Sequence, residues 1–366
     1  MRIVLALDKF KGSLTALQAC KAVQRGLRRK WPEATFAIHP VADGGDGTVD
    51  ALAASIQGTR PNVQVFNPLR SKMVEADFLL AKEAAYLEMA SASGLVLLDS
   101  HERDPLRADT FGTGQLIQTA LDHGAKHIVV GLGGSATNDG GVGMAQAFGY
   151  HFLDSNGSSI ESLPANLGEL AAINPPPNLP KATWIALADV TNPLLGPNGA
   201  TAVYGPQKGV TSDMQARLEE GLAKLADIVH RDLGVNFCGT PGAGAAGGCA
   251  FGMMSFFAAT LRPGFEYLAE MSGLGDAIAT ADWVITGEGL LDSQTLNGKA
   301  PAGVAAVAKR HGKQIAAIGG GVEPEARGAL KTVFQSVTCL TDTVPLDEAF
   351  ADAERLLEKQ AEMLNL

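Results

Sequence analysis

Short runs of apolar and β-branched residues alternate along this chain with longer segments in which apolar positions recur every three or four residues. The short runs are typical of buried parallel strands, and the longer segments indicate amphipathic helices, most clearly in 15–31, 212–233 and 300–311. The predicted strands are "RIVLALD", "TFAIHPVAD", "HIVVGLG", "TWIALADV", "WVITGEG", "QIAAIGGG" and "SVTCLT". This alternation predicts an α/β protein with mostly parallel sheets in three-layer α/β/α arrangement.

Two segments break the alternation. Residues 66–90 resemble consecutive strands joined by turns, which predicts an antiparallel patch, and residues 154–182 are rich in Pro, Asn, Ser and Gly, which predicts a long surface excursion. The length of 366 residues suggests two domains. We expect a discontinuous α/β domain of residues 1–75 plus 281–366, and an inserted α/β domain of residues 76–280.

Composition and charge narrow the class of protein. The net charge of -10 and the lack of a basic stripe argue against nucleic-acid binding. The four cysteines are far apart in sequence, which favours reduced thiols over disulfides or a zinc site. The longest apolar stretch, "CAFGMMSFFAATL", is too short to span a membrane. We therefore expect a cytoplasmic protein without a membrane or nucleic-acid partner, and whether it forms a homo-oligomer stays open.

Polar clusters follow many of the predicted strands. Because ligands bind at the carboxyl ends of strands in open α/β sheets, repeated clusters of carboxylates and glycines at these ends predict a binding site. Each cluster alone would be an ordinary turn, since Gly, Asp and Asn are the usual turn formers. The clusters are Asp8 to Ser13, Asp43 to Thr48, Gly131 to Met144, Asp189 to Pro193 and Gly287 to Asp292.

The stretch "GLGGSATNDGGVGM" is the most informative of these clusters. Glycines allow backbone N–H groups to approach an anion, and small hydroxyl and amide side chains add donors, so this stretch predicts a phosphate cradle. Asp139 cannot favour phosphate directly, but a carboxylate there could hold Mg²⁺. The predicted phosphate-binding residues are Gly133, Gly134, Ser135, Thr137 and Asn138.

A dinucleotide-binding fingerprint is the alternative for the same stretch. "GLGGSA" satisfies G-x-G-x-x-A after a strand, and Asp154 ends the next predicted strand at about the required distance. The fingerprint needs a helix that begins at its glycines, whereas "TNDGGVG" delays any regular helix. We therefore rank a nicotinamide-dependent dehydrogenase second, after a protein that binds phosphate at this stretch. A non-catalytic acidic binding protein ranks third, because it does not explain why carboxylates gather at strand ends.

Three lysines lie in glycine-containing stretches and are candidates for binding transferred phosphate: Lys11, Lys208 and Lys299. A loop lysine is more commonly just solvated. "PGAGAAGG", residues 241–248, is either an anion-binding nest or a place where small residues allow close helix packing.

The chain resembles the bacterial type I glycerate kinases from residue 1 to about 320. The similarity is carried by "DKFKGSLTA", "VADGGDGT", "GLGGSATNDGGVGM", "DVTNPLLGPNGATAVYGPQKG", "PGAGAAGG" and "ADWVITGEGLLDSQTLNGKAPAGVA", which occur in the family's order. The resemblance implies transfer of phosphate from ATP with Mg²⁺ to D-glycerate, with 2-phosphoglycerate as the expected product. It also implies two α/β domains with the active site in the cleft between them.

Residue by residue, the family's motif carboxylates fall on Asp8, Asp43, Asp139, Asp189 and Asp292, and its motif lysines on Lys11, Lys208 and Lys299. This chain departs locally from the family pattern, with Lys9 where Ser is frequent and Asp46 where Glu is usual. Leu290 stands where Arg is usual, so a mechanism that needs a cation at 290 is in doubt.

From these residues we assign roles as hypotheses. Asp189 is the first candidate for the base that accepts the hydroxyl proton, and Asp292 is the second. Lys11 is assigned to catalysis and to the substrate carboxylate. The remaining predicted roles are substrate binding by Asp8, Asp43, Gly44 and Gly45, metal binding by Asp139 and Asp43, and nucleotide phosphate binding by Lys208 and Lys299 beside the glycine-rich stretch.

Overall fold

The computed structural model describes residues 1–161, 163–296 and 299–366. The strands are β1 Arg2–Leu7, β2 Thr35–Ile38, β3 Asn62–Phe66, β4 Met73–Ala81, β5 Ala84–Glu88, β6 His127–Gly131, β7 His151–Leu153, β8 Ala172–Asn174, β9 Thr183–Leu187, β10 Thr260–Arg262, β11 Trp283–Gly287, β12 Leu290–Leu291, β13 Gln314–Gly319, β14 Gly321–Val322 and β15 Ser336–Cys339. The α-helices are α1 Ala16–Lys30, α2 Thr48–Ala53, α3 Ala90–Ser93, α4 Phe111–Asp122, α5 Val142–Ala147, α6 Leu163–Asn166, α7 Ala200–Tyr204, α8 Ser212–Leu233, α9 Ala245–Phe257, α10 Gly264–Met271, α11 Leu274–Ala279, α12 Ala300–Arg310, α13 Arg327–Val333, α14 Leu346–Ala351 and α15 Ala353–Glu362.

The chain divides into two compact units, of which the first comprises Met1–Asp43, Gly47–Gln57 and Gly264–Leu366. Its sheet has the order β15-β13-β11-β1-β2, and every pairing in it is parallel. Alternate residues of β1 enter different cores, since Ile3 and Leu5 pack with α1 and α15, whereas Val4 packs with α11 and α12. Helices therefore cover both faces of this sheet, as the continuous apolar runs predict.

The second unit comprises Gly44–Asp46 and Gly58–Pro263, and its sheet has the order β10-β9-β6-β5-β4-β3. Strands β5, β6, β9 and β10 are parallel, whereas β3 and β4 join the sheet in antiparallel pairs. The antiparallel patch predicted within 66–90 is thus confirmed, and so is the α/β class with mostly parallel sheets. Most of the buried apolar residues described in this unit form one continuous hydrophobic core.

The boundaries between the two units differ from those predicted from the sequence. The main part of the second unit begins at residue 58 and not at 76, and it ends at residue 263 and not at 280. The first difference arises because β3 pairs with β4 over Asn62–Phe66 and so belongs to the second unit's sheet. The second arises because Phe265 of α10 and Leu274 of α11 pack into the core of the first unit.

The segment 154–182, predicted as a surface excursion, is more deeply embedded than expected. It contributes β8 and α6, and it buries Ile160, Leu163, Leu167 and Leu170 in the core of the second unit. The Pro and Gly residues around these apolar positions led to the prediction of a surface loop. Among the described residues, no helix is both long enough and apolar enough to cross a membrane.

Candidate functional site

The glycine-rich loop follows β6 and lies against a second glycine turn. A side chain at Gly131 would place its Cβ 2.3 Å from the carbonyl oxygen of Gly44, and one at Gly133 would place it 2.5 Å from Cα of Gly45. Such distances leave no room for any side chain. The structure therefore brings together Gly44, Gly45 and Gly133, which the sequence assigned to substrate and phosphate binding.

Only part of this loop is open to solvent. Gly134 is exposed with a φ of +76°, a left-handed conformation that favours glycine, and Gly133 is half-buried. By contrast, the side chains of Ser135, Thr137 and Asn138 are buried. The predicted contact of these three side chains with phosphate does not fit their burial. The N–H of Gly133 donates to the carbonyl of Gly44, so the backbone N–H of the exposed Gly134 is the more accessible donor.

A buried lysine holds the inner side of the loop. Lys208 is 2% exposed, and its Nζ donates to Oγ of Ser135 at 2.8 Å and to the carbonyl oxygen of Thr137 at 2.6 Å. Burial lowers the pKa of Lys208 to about 7, with the charge of Asp139 opposing the shift. Nδ2 of Asn138 donates to Oγ1 of Thr201, while Oδ1 of Asn138 and Oγ1 of Thr137 are buried without a hydrogen-bond partner.

Asp139 does not fit the metal role predicted for it. Its Oδ2 accepts hydrogen bonds from the backbone N–H and the hydroxyl of Thr110 and from the N–H of Gly143, and its Oδ1 accepts from the N–H of Gly141. The residue is fully buried. Both carboxylate oxygens are therefore committed to shaping the loop, and Asp139 is a structural residue.

The stretch "PGAGAAGG" forms a left-handed turn behind the same loop. Ala246, Gly247 and Gly248 have φ values of 56°, 65° and 84°, and regular α9 geometry begins after them. The N–H of Gly140 donates to the carbonyl of Gly247, and a Cβ on Gly247 would lie 2.0 Å from the carbonyl oxygen of Thr137. Of the two alternatives left open for this stretch, close packing through small residues describes the contact with the loop.

Asp189 lies at the same sheet edge as the loop. It comes two residues after β9, which is parallel to β6, and the N–H of Leu132 donates to the carbonyl of Leu187. Asp189 is half-buried. The sequence prediction that Asp189 accompanies the glycine-rich loop therefore agrees with the strand order of this unit.

Two charged residues at this edge were not predicted from the sequence. Glu88 is the last residue of β5, pairs with Gly131 and is 8% exposed. Arg262 is the last residue of β10, where its carbonyl accepts from the N–H of Ala188. Glu88 follows the apolar run "AAYL", which is the same signal that identified Asp8 and Asp189, whereas Arg262 follows only "TL" and has no such signal.

In the first unit, carboxylates gather at the ends of three adjacent strands. Asp8 follows β1, Glu288 follows β11, and Asp43 lies beyond β2. Burial raises the pKa of Asp8 to about 7, with Asp43 and Glu288 adding to the rise and Lys9 opposing it. Burial also raises the pKa of Glu288, against Lys299 and Thr295. Glu288 was not among the predicted site residues, although its "GEG" motif was noted.

Asp292 is held in its ionised form. Nζ of Lys299 lies 3.3 Å from Oδ1 and 3.2 Å from Oδ2 of Asp292, and the N–H of Thr295 donates to Oδ1. Burial opposes ionisation, but the hydrogen bonds from Thr295 and Lys299 outweigh it and lower the pKa of Asp292. A carboxylate so stabilised is a weak base, so the secondary base assignment to Asp292 does not fit this geometry.

Lys11 is exposed, and its backbone N–H group lies beside Gly289, where a Cβ would be 3.2 Å away. Leu290, at the family's usual Arg position, is 47% exposed on β12. The predicted residues of the first unit are thus Asp8, Lys11, Asp43, Asp292 and Lys299, and those of the second are Gly44, Gly45, Gly133, Gly134, Ser135, Thr137, Asn138, Asp139, Asp189 and Lys208.

The dinucleotide alternative loses its support in the fold. Asp154 is half-buried before a turn that follows β7, where its side chain accepts from the N–H groups of Asn156 and Ser158. Strand β7 pairs with β8 in a separate two-stranded sheet, so it is not the neighbour of β6 that the fingerprint requires. Across the parts of the chain that are described, no group of three or more His, Cys, Asp or Glu side chains is arranged to hold a metal.

Similarity to known proteins extends over almost the whole chain. The profile of the glycerate kinase family matches residues 3–365. A glycerate kinase of Halalkalibacterium halodurans is 44% identical over 98% of this chain and 96% of its own length. The glycerate 2-kinase of Escherichia coli K12 is 41% identical over 96% of this chain and 94% of its own. A crystal structure described as glycerate kinase 2 from Salmonella typhimurium LT2 aligns with a TM-score of 0.83 at 39% identity, over 99% of this chain and 96% of that one.

Proposed function

Since this chain belongs to the glycerate kinase family, we propose that it transfers the terminal phosphoryl group of ATP to D-glycerate and forms 2-phosphoglycerate. The match to a relative named glycerate 2-kinase supports the choice of the 2-hydroxyl. The four cysteines are unpaired in the structure, which supports a reducing cytoplasmic location for this reaction.

The observation that carries the proposal is the glycine-rich loop at the end of β6. Phosphoryl transfer asks a protein mainly for positioning and charge neutralisation. Gly134 is exposed and leaves its backbone N–H group unobstructed by a side chain, and such groups bind phosphate oxygens well. We assign the triphosphate to this loop, and the cations of Lys11 and Lys299 to neutralising the anionic groups of the reactants.

Magnesium fits a site with few protein ligands. Mg²⁺ is commonly held by one or two carboxylates together with substrate phosphates, so the lack of a three-residue metal cluster in the described residues is compatible with it. Asp189 is the carboxylate that would hold the ion, because it is half-buried at the strand end beside the loop. When bound, Mg²⁺ would neutralise charge on the phosphate oxygens. The metal role of Asp43 stays a prediction.

We assign the proton-accepting role to Asp8, in place of Asp189. A general base works best when its pKa is near the working pH, and burial together with Asp43 and Glu288 raises the pKa of Asp8 to about 7. The substrate carboxylate is assigned to the exposed ammonium of Lys11, which follows β1 in the first unit as Asp8 does. The substrate-binding role of Gly44 and Gly45 stays a prediction.

A coupled assay for ADP tests the reaction, with D-glycerate, L-glycerate and other small hydroxy acids as acceptors. We expect ADP release that depends on D-glycerate, and phosphorus NMR of the product should show the phosphate on carbon 2. Phosphate on carbon 3 would contradict the regiochemistry alone. ADP formation that does not depend on any hydroxy acid would contradict the function.

Two variants separate the candidate bases. Asp8→Asn should lower kcat by several orders of magnitude and leave the Kd of an ATP analogue unchanged. Asp189→Asn should raise the Mg²⁺ concentration needed for half-maximal activity while the rise of kcat/KM with pH near 7 is retained. The reverse pattern, with that pH dependence lost in Asp189→Asn, would return the base assignment to Asp189.

A further inference from the structure

Lys208 has a buried amino group whose hydrogen-bond partners are neutral oxygens. It is the last residue of a single 3-10 turn, Pro206–Lys208, and Gly209 follows with a φ of +95°. The proline begins the turn, and the left-handed glycine ends it, so the lysine side chain is directed into the second unit. There its Nζ bonds to Oγ of Ser135 and to the carbonyl oxygen of Thr137.

Keeping an ammonium in this position is costly. Burying a charge without an ion pair is unfavourable, and this cost is the cause of the lowered pKa of Lys208. A methionine of similar length would fill the same space without the penalty. The feature that a methionine cannot supply is the pair of hydrogen bonds to the loop, one to a side chain and one to the backbone.

Other hydrogen bonds also hold the loop. The N–H of Gly133 donates to the carbonyl of Gly44, and the carbonyl of Gly134 accepts from the N–H of Leu95. Nδ2 of Asn138 donates to Oγ1 of Thr201, whereas Oγ1 of Thr137 is buried without a partner. Lys208 adds two hydrogen bonds within Ser135 to Thr137, immediately after the exposed backbone of Gly134.

We propose that Lys208 is a positioning residue for nucleotide binding, which acts through Ser135 and Thr137 to fix the backbone donor of Gly134. It does not touch the phosphate itself, because its ammonium lies on the buried side of the loop. This inference rests on the proposed function of the loop. It separates Lys208 from Lys11 and Lys299, which are accessible cations.

The test compares Lys208→Met with Lys224→Met, a control on the exposed face of α8 in the same unit. We expect Lys208→Met to raise the Kd of a non-hydrolysable ATP analogue and the KM for ATP at least tenfold, with the KM for D-glycerate changed less than threefold. The control should change neither. An unchanged analogue Kd in Lys208→Met, or equal rises of both KM values, would overturn the proposal.

Ser135→Ala supplies the second test, because it removes one acceptor of Nζ and leaves the buried charge in place. Combined with Lys208→Met it should raise the analogue Kd no further than Lys208→Met alone, since both act on one contact. Additive effects would contradict the coupling. If the methionine variant does not fold, Ser135→Ala decides alone: faster hydrogen exchange at the loop amides with a raised Kd supports the proposal, and an unchanged Kd overturns it.

The analogue Kd is measured without an acceptor. A protein that binds the ATP analogue but does not phosphorylate glycerate would therefore contradict the proposed function and leave the inference about Lys208 to be decided by its own variants.

Discussion

The ammonium of Lys299 lies within hydrogen-bond distance of both carboxylate oxygens of Asp292, at 3.3 Å and 3.2 Å. These two residues were predicted to act separately, one on phosphate and one as a base. Their pairing means that Lys299 helps to lower the pKa of Asp292. Either residue is therefore best studied together with its partner.

Replacing Lys299 with methionine should raise the pKa of Asp292, because burial then acts with less opposition. A carboxylate with a depressed folded pKa stabilises the fold above its unfolded pKa of 3.8, and this stability is lost as pH falls through the folded value. In Lys299→Met the free energy of unfolding should therefore fall less steeply below pH 4 than in the parent protein, as measured by urea unfolding from pH 2.5 to 7. Turnover should fall about a hundredfold, as expected for loss of a phosphate-binding cation.

Lys309→Met on the exposed face of α12 is the matched control for Lys299→Met, and it should leave both properties unchanged. If the loss of stability below pH 4 is the same in Lys299→Met as in the parent protein, the ion pair does not determine the ionisation of Asp292.

Asp8→Asn should stabilise the protein at alkaline pH while it abolishes turnover. The folded pKa of Asp8, about 7, is above its unfolded value of 3.8, so ionising Asp8 costs stability progressively between pH 4 and 7. Removing the carboxylate should remove this loss, which is at most about 1.4 kcal/mol per pH unit for one proton. Urea unfolding at pH 4, 6 and 8 measures the difference, which should be largest at pH 8. A variant less stable than the parent at pH 8 would argue that Asp8 is favourably paired when ionised.

Asp139→Asn should damage the fold and not the metal dependence. The substitution puts an amide where the hydroxyl and N–H of Thr110 and the N–H of Gly143 now donate, so at least one buried donor loses its acceptor. We expect a loss of about 2–4 kcal/mol in the free energy of unfolding. The Mg²⁺ concentration for half-maximal activity should stay within twofold. A raised Mg²⁺ requirement with normal stability would restore the metal role.

The left-handed turn at 246–248 should respond to two small substitutions by very different amounts. Gly247→Ala would bring Cβ within 2.0 Å of the carbonyl oxygen of Thr137, so we expect a loss of more than about 3 kcal/mol or failure to fold. Ala246→Gly relieves an unfavourable φ but adds freedom to the unfolded chain, so its stability should change by less than about 1 kcal/mol. Thermal unfolding of the two variants is the measurement, and comparable losses in both would contradict the argument.

Much of the fold was predictable because buried parallel strands leave a local signal. The runs around Leu5, Val129 and Ile285 are apolar on both faces, and their strands lie in the interior of their sheets, with a neighbour on each side. Since ligand sites of such sheets form at strand ends, the polar residues after those runs were identifiable as candidates from the sequence alone.

The roles of individual side chains were less predictable, because their partners are distant in the chain. Asp139 is bonded to Thr110, 29 positions earlier, and Lys208 to Ser135, 73 positions earlier. A sequence shows that these residues are polar and near glycines, but not whether they face a ligand or the loop itself. The same limit hid Glu288, whose hydroxyl donor Thr295 and neighbour Asp43 meet it only in the fold.

The contact of Gly131 and Gly133 with Gly44 and Gly45 has a consequence for how this gene can vary. Every amino-acid change reachable from a glycine codon by one nucleotide adds a Cβ, and at Gly131 and Gly133 that atom would meet backbone that cannot move aside as a side chain can. In a random-mutagenesis library these two codons should therefore be depleted of missense changes among active clones. Altered nucleotide preference would have to be selected elsewhere in the chain.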